Sequence, residues 1–228
     1  MGFRILDKMN MVFNAKKTLF LDGFRGYTTF GSPTTYVDYS SSGGAFSRVL
    51  FGNVAVICNT GFAVLKDGNV YYLRELYNKA RFNPAYTIWE CNIDDIVIRE
   101  KSIPASDKFA FFVAFDIENK SKEEKELNLI SLFDRVTIGG YDTKAPFPIV
   151  GKDGVRYGKA RFKIGKDSFY FESPYTNWVY KIHSKDSDFI VGERKKVRNR
   201  FEKGDFKPII DESEGILSLV LKKNIKLY

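Results

Sequence analysis

The clearest pattern along the chain is a two-residue alternation from Phe109 to Glu118. Phe109, Phe111, Val113, Phe115 and Ile117 share one face. Ala110, Phe112, Ala114, Asp116 and Glu118 share the other, which turns polar toward its end. Period 2 marks a strand with one buried face and one wetted face. The charged run Asn119–Lys125 follows, and Glu126–Phe133 resumes the strand pattern. The pair reads as an antiparallel hairpin with its tip in water. Turn residues repeat the signal elsewhere. Asp67-Gly68-Asn69 separates Phe62–Leu65 from Val70–Leu73, Asp153-Gly154 separates Phe147–Val150 from Val155–Tyr157, and Gly165-Lys166-Asp167 separates Ala160–Ile164 from Phe169–Phe171.

Strands are expected at about 3–6, 10–15, 27–37, 46–51, 54–58, 62–66, 69–74, 85–90, 93–100, 108–118, 126–133, 155–164, 168–172, 177–183 and 216–227. Sustained 3.6-residue periodicity is absent; Ser184–Phe189 and Leu73–Ala80 could each form a turn or two of helix. Short strands without helical spacers predict an all-β fold, a large antiparallel sandwich with little helix. The aromatic content of 16%, with 21 Phe and 13 Tyr against 2 Trp, leans the same way, because flat rings pack on a pleated face. No Pro/Gly/Ser-rich linker divides the middle, so residues 1–228 read as one domain, with Ser40–Gly44 as a flexible loop inside it. The run Ile216, Leu217, Leu219, Val220, Leu221, Ile225, Leu227 is a strong strand that stops at Tyr228 without a polar tail, which reads as the N-terminal part of something longer.

Composition narrows the function classes. No apolar run approaches the roughly 18 residues of a spanning helix, and Arg4, Asp7, Lys8 and Asn10 interrupt any secretory core at the N-terminus. A cytoplasmic location without membrane contact is the expectation. Two cysteines, Cys58 and Cys91, exclude a disulfide scaffold and a four-cysteine zinc site. One histidine, His183, excludes histidine-rich metal sites, so neither metal nor cofactor is expected. Gln is absent while Lys and Glu abound, a composition of heat-adapted proteins. The net charge of +8 is spread over both halves, +3 for residues 1–114 and +5 for 115–228. One cluster stands out, Arg194, Lys195, Lys196, Arg198 and Arg200. It reads either as a solvated loop or as a polyanion or nucleic-acid patch. No aromatic is interleaved for base stacking, which disfavours nucleic acid as a partner.

Catalytic signatures are missing. No Gly-x-Ser-x-Gly elbow, His-Glu-x-x-His helix or Walker loop occurs, and the glycines at Gly23, Gly26 and Gly31 are not followed by a helix. His183 reads as a structural or surface residue rather than a general base, because no Ser or Cys motif stands ready for it. Asp94 and Asp95 are adjacent on a strand and point to opposite faces, so they are no facing acid–base pair. No catalytic residue is assigned. Trp89 and Trp178, with Tyr86, Tyr175 and Tyr180, could stack on sugar rings, or pack in the core.

Six segments, in one order, carry a resemblance. Asp22-Gly23-Phe24-Arg25-Gly26-Tyr27 is similar to an Asn-Gly-x-x-Gly-Tyr strand, with Asp22 for Asn. Ser42–Arg48 is similar to a Gly-Gly-Gly-Tyr-Ser loop, and Asp67–Arg74 to a Gly-x-x-x-Tyr-Leu-Arg-Asp strand with Glu75 for Asp. Phe115–Ser121 is similar to Glu-x-x-Asn-x-Ser, Ser187–Arg194 to Phe-Ile/Leu-Gly-Arg, and Gly215–Leu227 to the strand before Pro-Gly-Glu. Together, over residues 20–227, they resemble the N-terminal domain of the cellobiose and chitobiose phosphorylase family. That domain is related to the supersandwich domains of glucoamylase-like enzymes, with the galactose-mutarotase-like sandwich fold.

The resemblance implies a two-sheet supersandwich that packs on a helical catalytic barrel and lends loops to a sugar site or a dimer interface. The barrel, with its general acid and phosphate site, lies outside this chain, so the chain alone is expected not to be an enzyme, and the parent reaction is glycoside phosphorolysis or hydrolysis. The family's Gly-rich loop implies sugar contact at Gly43, Gly44, Phe46 and Ser47, beside the aromatic candidates Trp89 and Trp178. A stand-alone carbohydrate-binding module and a polyanion binder through residues 194–200 are the alternatives. Expected partners are carbohydrate, a helical catalytic domain or a second copy. A sandwich made to rest on a barrel would leave part of one sheet face apolar.

Overall fold

The structure, a computed structural model, describes residues 11–14, 27–30, 35–39, 48–51, 54–83, 86–105, 110–136, 150–151, 154–155, 161–172, 179–207, 209–210 and 217–228. In chain order the strands are β1 (Met11–Asn14), β2 (Tyr27–Phe30), β3 (Thr35–Tyr39), β4 (Arg48–Phe51), β5 (Val54–Lys66) and β6 (Asn69–Tyr72), then the single turn of helix α1 (Leu73–Leu76). Strands β7 (Lys79–Asn83), β8 (Tyr86–Ile93), β9 (Ile96–Pro104), β10 (Phe111–Asn119) and β11 (Lys125–Val136) follow. After them come the small β12 (Val150–Gly151), β13 (Gly154–Val155), β14 (Arg161–Gly165), β15 (Ser168–Glu172) and β16 (Val179–His183). The chain closes with β17 (Asp188–Glu193), helix α2 (Arg194–Glu202), β18 (Ile209–Ile210) and β19 (Leu217–Leu227).

The fold is all-β, as the alternation predicts, and its strands pair antiparallel except for β17 with the short β18, which is parallel. Sheet one has the order β1-β7-β8-β9-β10. Sheet two has the order β18-β17-β19-β11-β5-β4-β3-β2, with β6 also on β5. A three-stranded sheet, β14-β15-β16, and the hairpin β12-β13 complete the described residues. The main core lies between the two large sheets. Trp89, Cys91, Ile93, Ile96 and Ile98 of sheet one meet Phe62, Val64, Leu127, Leu219 and Leu221 of sheet two, and Phe169 and Phe171 of the three-stranded sheet join them.

At its centre, sheet two is buried on its other face as well. Ala63, Ile130, Ile190 and Val220 pack there against Val197 and Phe201 of α2 and against Phe206. That explains the apolar run in β19. Leu219, Val220 and Leu221 are consecutive, point to alternate faces, and are 0%, 1% and 5% exposed.

The structure corrects the sequence reading in several places. The pair expected as one hairpin is divided between the sheets: β10 pairs with β9 in sheet one, and β11 with β5 and β19 in sheet two. The expected strand at 27–37 is the antiparallel pair β2 and β3. Asp94 and Asp95, expected on a strand, form the turn between β8 and β9. The expected strands 54–58 and 62–66 are one unbroken strand, β5. Gly61 continues it opposite Leu132, and a Cβ there would meet nothing within 4 Å. The strand at 69–74 ends early because Leu73 begins α1 and is fully buried. Ser184–Phe189 is a turn leading into β17, not a helix.

The basic cluster, finally, is the helix α2 rather than a loop. Val197 and Phe201, four residues apart, give it one apolar edge. The Glu193 carboxylate caps it by accepting from the Lys195 and Lys196 backbone N–H groups, at 3.0 and 3.3 Å. Gly204, at φ +67°, stops it: its N–H reaches the Phe201 carbonyl, and the Asp205 N–H reaches that of Arg200. Glycine bears that left-handed conformation without a Cβ penalty.

Phe201 is the anchor of α2, its ring 5.7 Å from Tyr72 and 5.9 Å from Phe206. Phe201→Ala should lower stability by about 3 kcal/mol. The exposed Lys195→Ala should change it by less than about 0.5 kcal/mol. Urea denaturation of both variants checks this, and equal losses would show that α2 is not seated as described.

Candidate functional site

Strand β9 alternates Ile96, Ile98, Glu100, Ser102 and Pro104 on its buried face. Period 2 therefore carries a carboxyl group into the main core, opposite Trp89 of β8 and Phe115 of β10. Glu100 is completely buried, and so are Ser102 and Thr87, which pair across β8 and β9. Tyr77 follows α1 and is brought over β8, its ring 5.6 Å from Trp89. Its hydroxyl donates to Glu100 Oε2, and the Ser102 hydroxyl donates to Oε1 at 3.3 Å.

No cation joins this cluster among the described residues. Burial pushes the Glu100 carboxyl up to about 8, and the hydrogen bonds from Tyr77 and Ser102 offset only part of that push. Glu100 is thus protonated at neutral pH. Burial first, then the neighbouring Glu100, raises the Tyr77 hydroxyl as well. Cys91 lies on the same face, and burial pushes its thiol up to about 12, far from a reactive thiolate. The cluster can hold a proton inside the sandwich, but it touches no solvent through Glu100 and so cannot reach a substrate.

The outer face of sheet one is organised differently. Register sets Lys79, Glu90, Arg99 and Asp116 in one row across β7, β8, β9 and β10, alternating in sign. Lys79 Nζ lies 3.0 Å from Glu90 Oε1, and Arg99 reaches Glu90 at 2.8 Å and Asp116 and Glu118 at 3.1 Å. Partial burial pushes the Glu90 carboxyl up, but Lys79 and Arg99 outweigh it and hold the group below its ordinary range. This row of the outer face is charged rather than apolar. Exposed large apolar side chains among the described residues are Phe112, Val179 and Tyr228.

The residues singled out from the sequence fare unequally. Gly43, Gly44, Phe46, Ser47, Trp178 and Tyr175 lie outside the described residues, as does the side chain of Tyr180. Trp89 is 2% exposed and packs in the core, so it offers no platform to a sugar. Tyr86 is half-buried, with Lys101 Nζ 5.0 Å from its ring centroid. His183 is exposed at the end of β16, and its Nδ1 lies 3.1 Å from the Ser168 hydroxyl. That pair is no nucleophile and base. Ser168 is only 3% exposed, and no carboxylate hydrogen-bonds His183 among the described residues.

In the basic cluster, Arg198 pairs with Glu202 at 2.8 Å. Arg200 pairs with Asp205 at 2.9 Å and donates to the Lys207 carbonyl. No group of three or more His, Cys, Asp or Glu side chains among the described residues could hold a metal ion. No described helix is long and apolar enough to cross a membrane.

Glu100 was legible in the alternation of β9 but carries no motif. Its partner Tyr77 comes from another element, so sequence reasoning had no reason to join them. No protein-family model matches the chain, and no curated protein sequence matches it.

Glu100 sets a pH dependence. In the unfolded chain a glutamate ionises near ~4.3, whereas the folded chain keeps the proton to about 8. The folded state binds the extra proton between those values, so stability is full below the lower one. It falls as pH rises through the window, by about 1.4 kcal/mol per pH unit. Urea denaturation at pH 5 and pH 8 should show this loss in the wild type and a much smaller one in Glu100→Gln. Parallel losses in the two proteins would refute a neutral Glu100.

Proposed function

We propose that the chain is a non-catalytic β-sandwich domain of a carbohydrate-active enzyme, one that supports a helical catalytic partner and contributes to sugar contact rather than to bond cleavage. The observation that carries this reading is the disposition of the carboxylates. Glycoside hydrolysis ordinarily uses two carboxyl groups facing one cavity that admits a sugar, and phosphorolysis one carboxylic acid facing a bound phosphate. Here Glu100 is sealed in the core, Glu90, Asp116 and Glu118 are bound by Arg99, and Asp94 is held by Lys66 at 2.7 Å. Glu193 is spent on capping α2. The carbohydrate class comes from the ordered resemblance; its segments at Asp67–Arg74, Phe115–Ser121 and Ser187–Arg194 fall on hairpins and strands of the sandwich.

A second reading, a stand-alone carbohydrate-binding module, is supported by the open face of the three-stranded sheet, where Tyr170 stands half-exposed between two lysines. The polyanion reading through residues 194–200 is weakened by the carboxylates that already occupy Arg198 and Arg200.

Purified protein incubated with cellobiose or chitobiose, with and without inorganic phosphate, should release neither free monosaccharide nor sugar phosphate. Robust turnover that disappears on substituting one carboxylate would overturn the non-catalytic reading.

A further inference from the structure

The sheet β14-β15-β16 turns Phe162, Ile164, Phe169, Phe171 and Ile182 toward the main core. The alternate positions form its other face. There Lys163, Tyr170 and Lys181 stand directly opposite one another, one on each strand. Both lysines are exposed and Tyr170 is half-buried. Diagonal to Tyr170 lies Gly165, where a Cβ would come within 3.0 Å of the ring carbon Cε2. The glycine leaves the floor on which the aromatic ring rests. Lys181 Nζ is 5.6 Å from the ring centroid. Neither Lys163 nor Lys181 forms an ion pair among the described residues.

We infer that this face binds an anionic oligosaccharide, a chain of sugar rings bearing carboxylate or sulfate groups. The inference rests on the module reading above and names its ligand class. When the Lys181 ammonium, which lies over the ring, turns to an anionic group of the ligand, the ring of Tyr170 offers a flat apolar surface to the C–H face of one sugar. The lysines flank it at one strand spacing, about 4.8 Å, on either side and place positive charge beside the neighbouring substituents. Lysine is a flexible point charge without the planar fork of arginine, which suits anionic groups whose orientation varies along a glycan. A single-stranded nucleic acid is held by successive aromatic rings, and this face presents one among the described residues. The net charge of +8 draws any polyanion toward the protein, more strongly at low salt.

Calorimetric titration tests the inference with three probes: oligogalacturonate, a cello-oligosaccharide of equal length, and single-stranded oligothymidylate. Oligogalacturonate should bind. Tyr170→Ala, and Lys163→Ala combined with Lys181→Ala, should each weaken it by about tenfold or more, while Tyr170→Phe should retain it. Thermal melting checks the fold of each variant, and the lysine pair carries the test if Tyr170→Ala does not fold. Equal binding of the neutral oligosaccharide would overturn the inference and leave the module reading standing. Binding of neither glycan would remove both. Tighter binding of oligothymidylate with the same dependence on Tyr170 would replace the glycan with nucleic acid. Oligogalacturonate binding unaffected by any of the variants would place the site elsewhere and defeat the inference.

Discussion

Burial of the centre of sheet two on both faces is the constraint on which the described core depends. Strand β19 runs between β11 and β17, with Leu219 and Leu221 in the main core and Val220 under α2. An antiparallel sheet commonly leaves one face wet. The centre of this one does not, so β5, β11 and β19 bring apolar side chains to both sides. Strand β11 does so with Leu127 and Leu129 on one face and Ile130 on the other, and β5 with Phe62 and Val64 against Ala63. Helix α2 is the cover this requires. Its cap at Glu193, its apolar pair Val197 and Phe201 and its stop at Gly204 all position one short amphipathic element over the sheet.

Sheet one resolves its two faces in opposite ways. Outside, the row Lys79, Glu90, Arg99, Asp116 alternates in charge across neighbouring strands, the cross-strand pairing that suits a wetted sheet. Exposed ion pairs of this kind contribute little individually and weaken with salt. Inside, Glu100 is the costly feature. A buried carboxylate without a cation is tolerated only as the neutral acid, with hydrogen bonds from Tyr77 and Ser102 meeting its oxygens. The charged lattice keeps one face soluble, whereas the single neutral acid ties α1 and its following residue to the centre of β9.

The functional reading follows from which described carboxylates are buried or engaged and from where an aromatic stands on open surface. Trp89, the most attractive stacking residue by type, is consumed by the core. Tyr170, unremarked in the sequence, rests on Gly165 with lysines on both sides. On the proposed reading, contact with a ligand belongs to a sheet face, where alternate residues are presented in rows.

The sequence by itself determined the all-β class, the alternating strand β10 with the charged run after it, the turn at Asp67-Gly68 and the two-sided apolar run of β19. Each rests on local periodicity or on a turn residue, and both are properties of neighbouring positions in the chain. Tertiary structure decided the rest. The continuity of β5 through Gly61 depends on strands β4 and β11 that pair along it, and Gly61 alone reads equally well as a break. The helix α2 is legible afterwards in Val197, Phe201 and Gly204, but five cations in that stretch hide an apolar edge only two residues wide until sheet two supplies a surface for it. The proton on Glu100, the burial of Trp89 and the row Lys163, Tyr170, Lys181 depend on which strands lie side by side and which faces they turn inward. Those are long-range choices, made when separate segments compete to bury the same apolar surface, and no single segment records them.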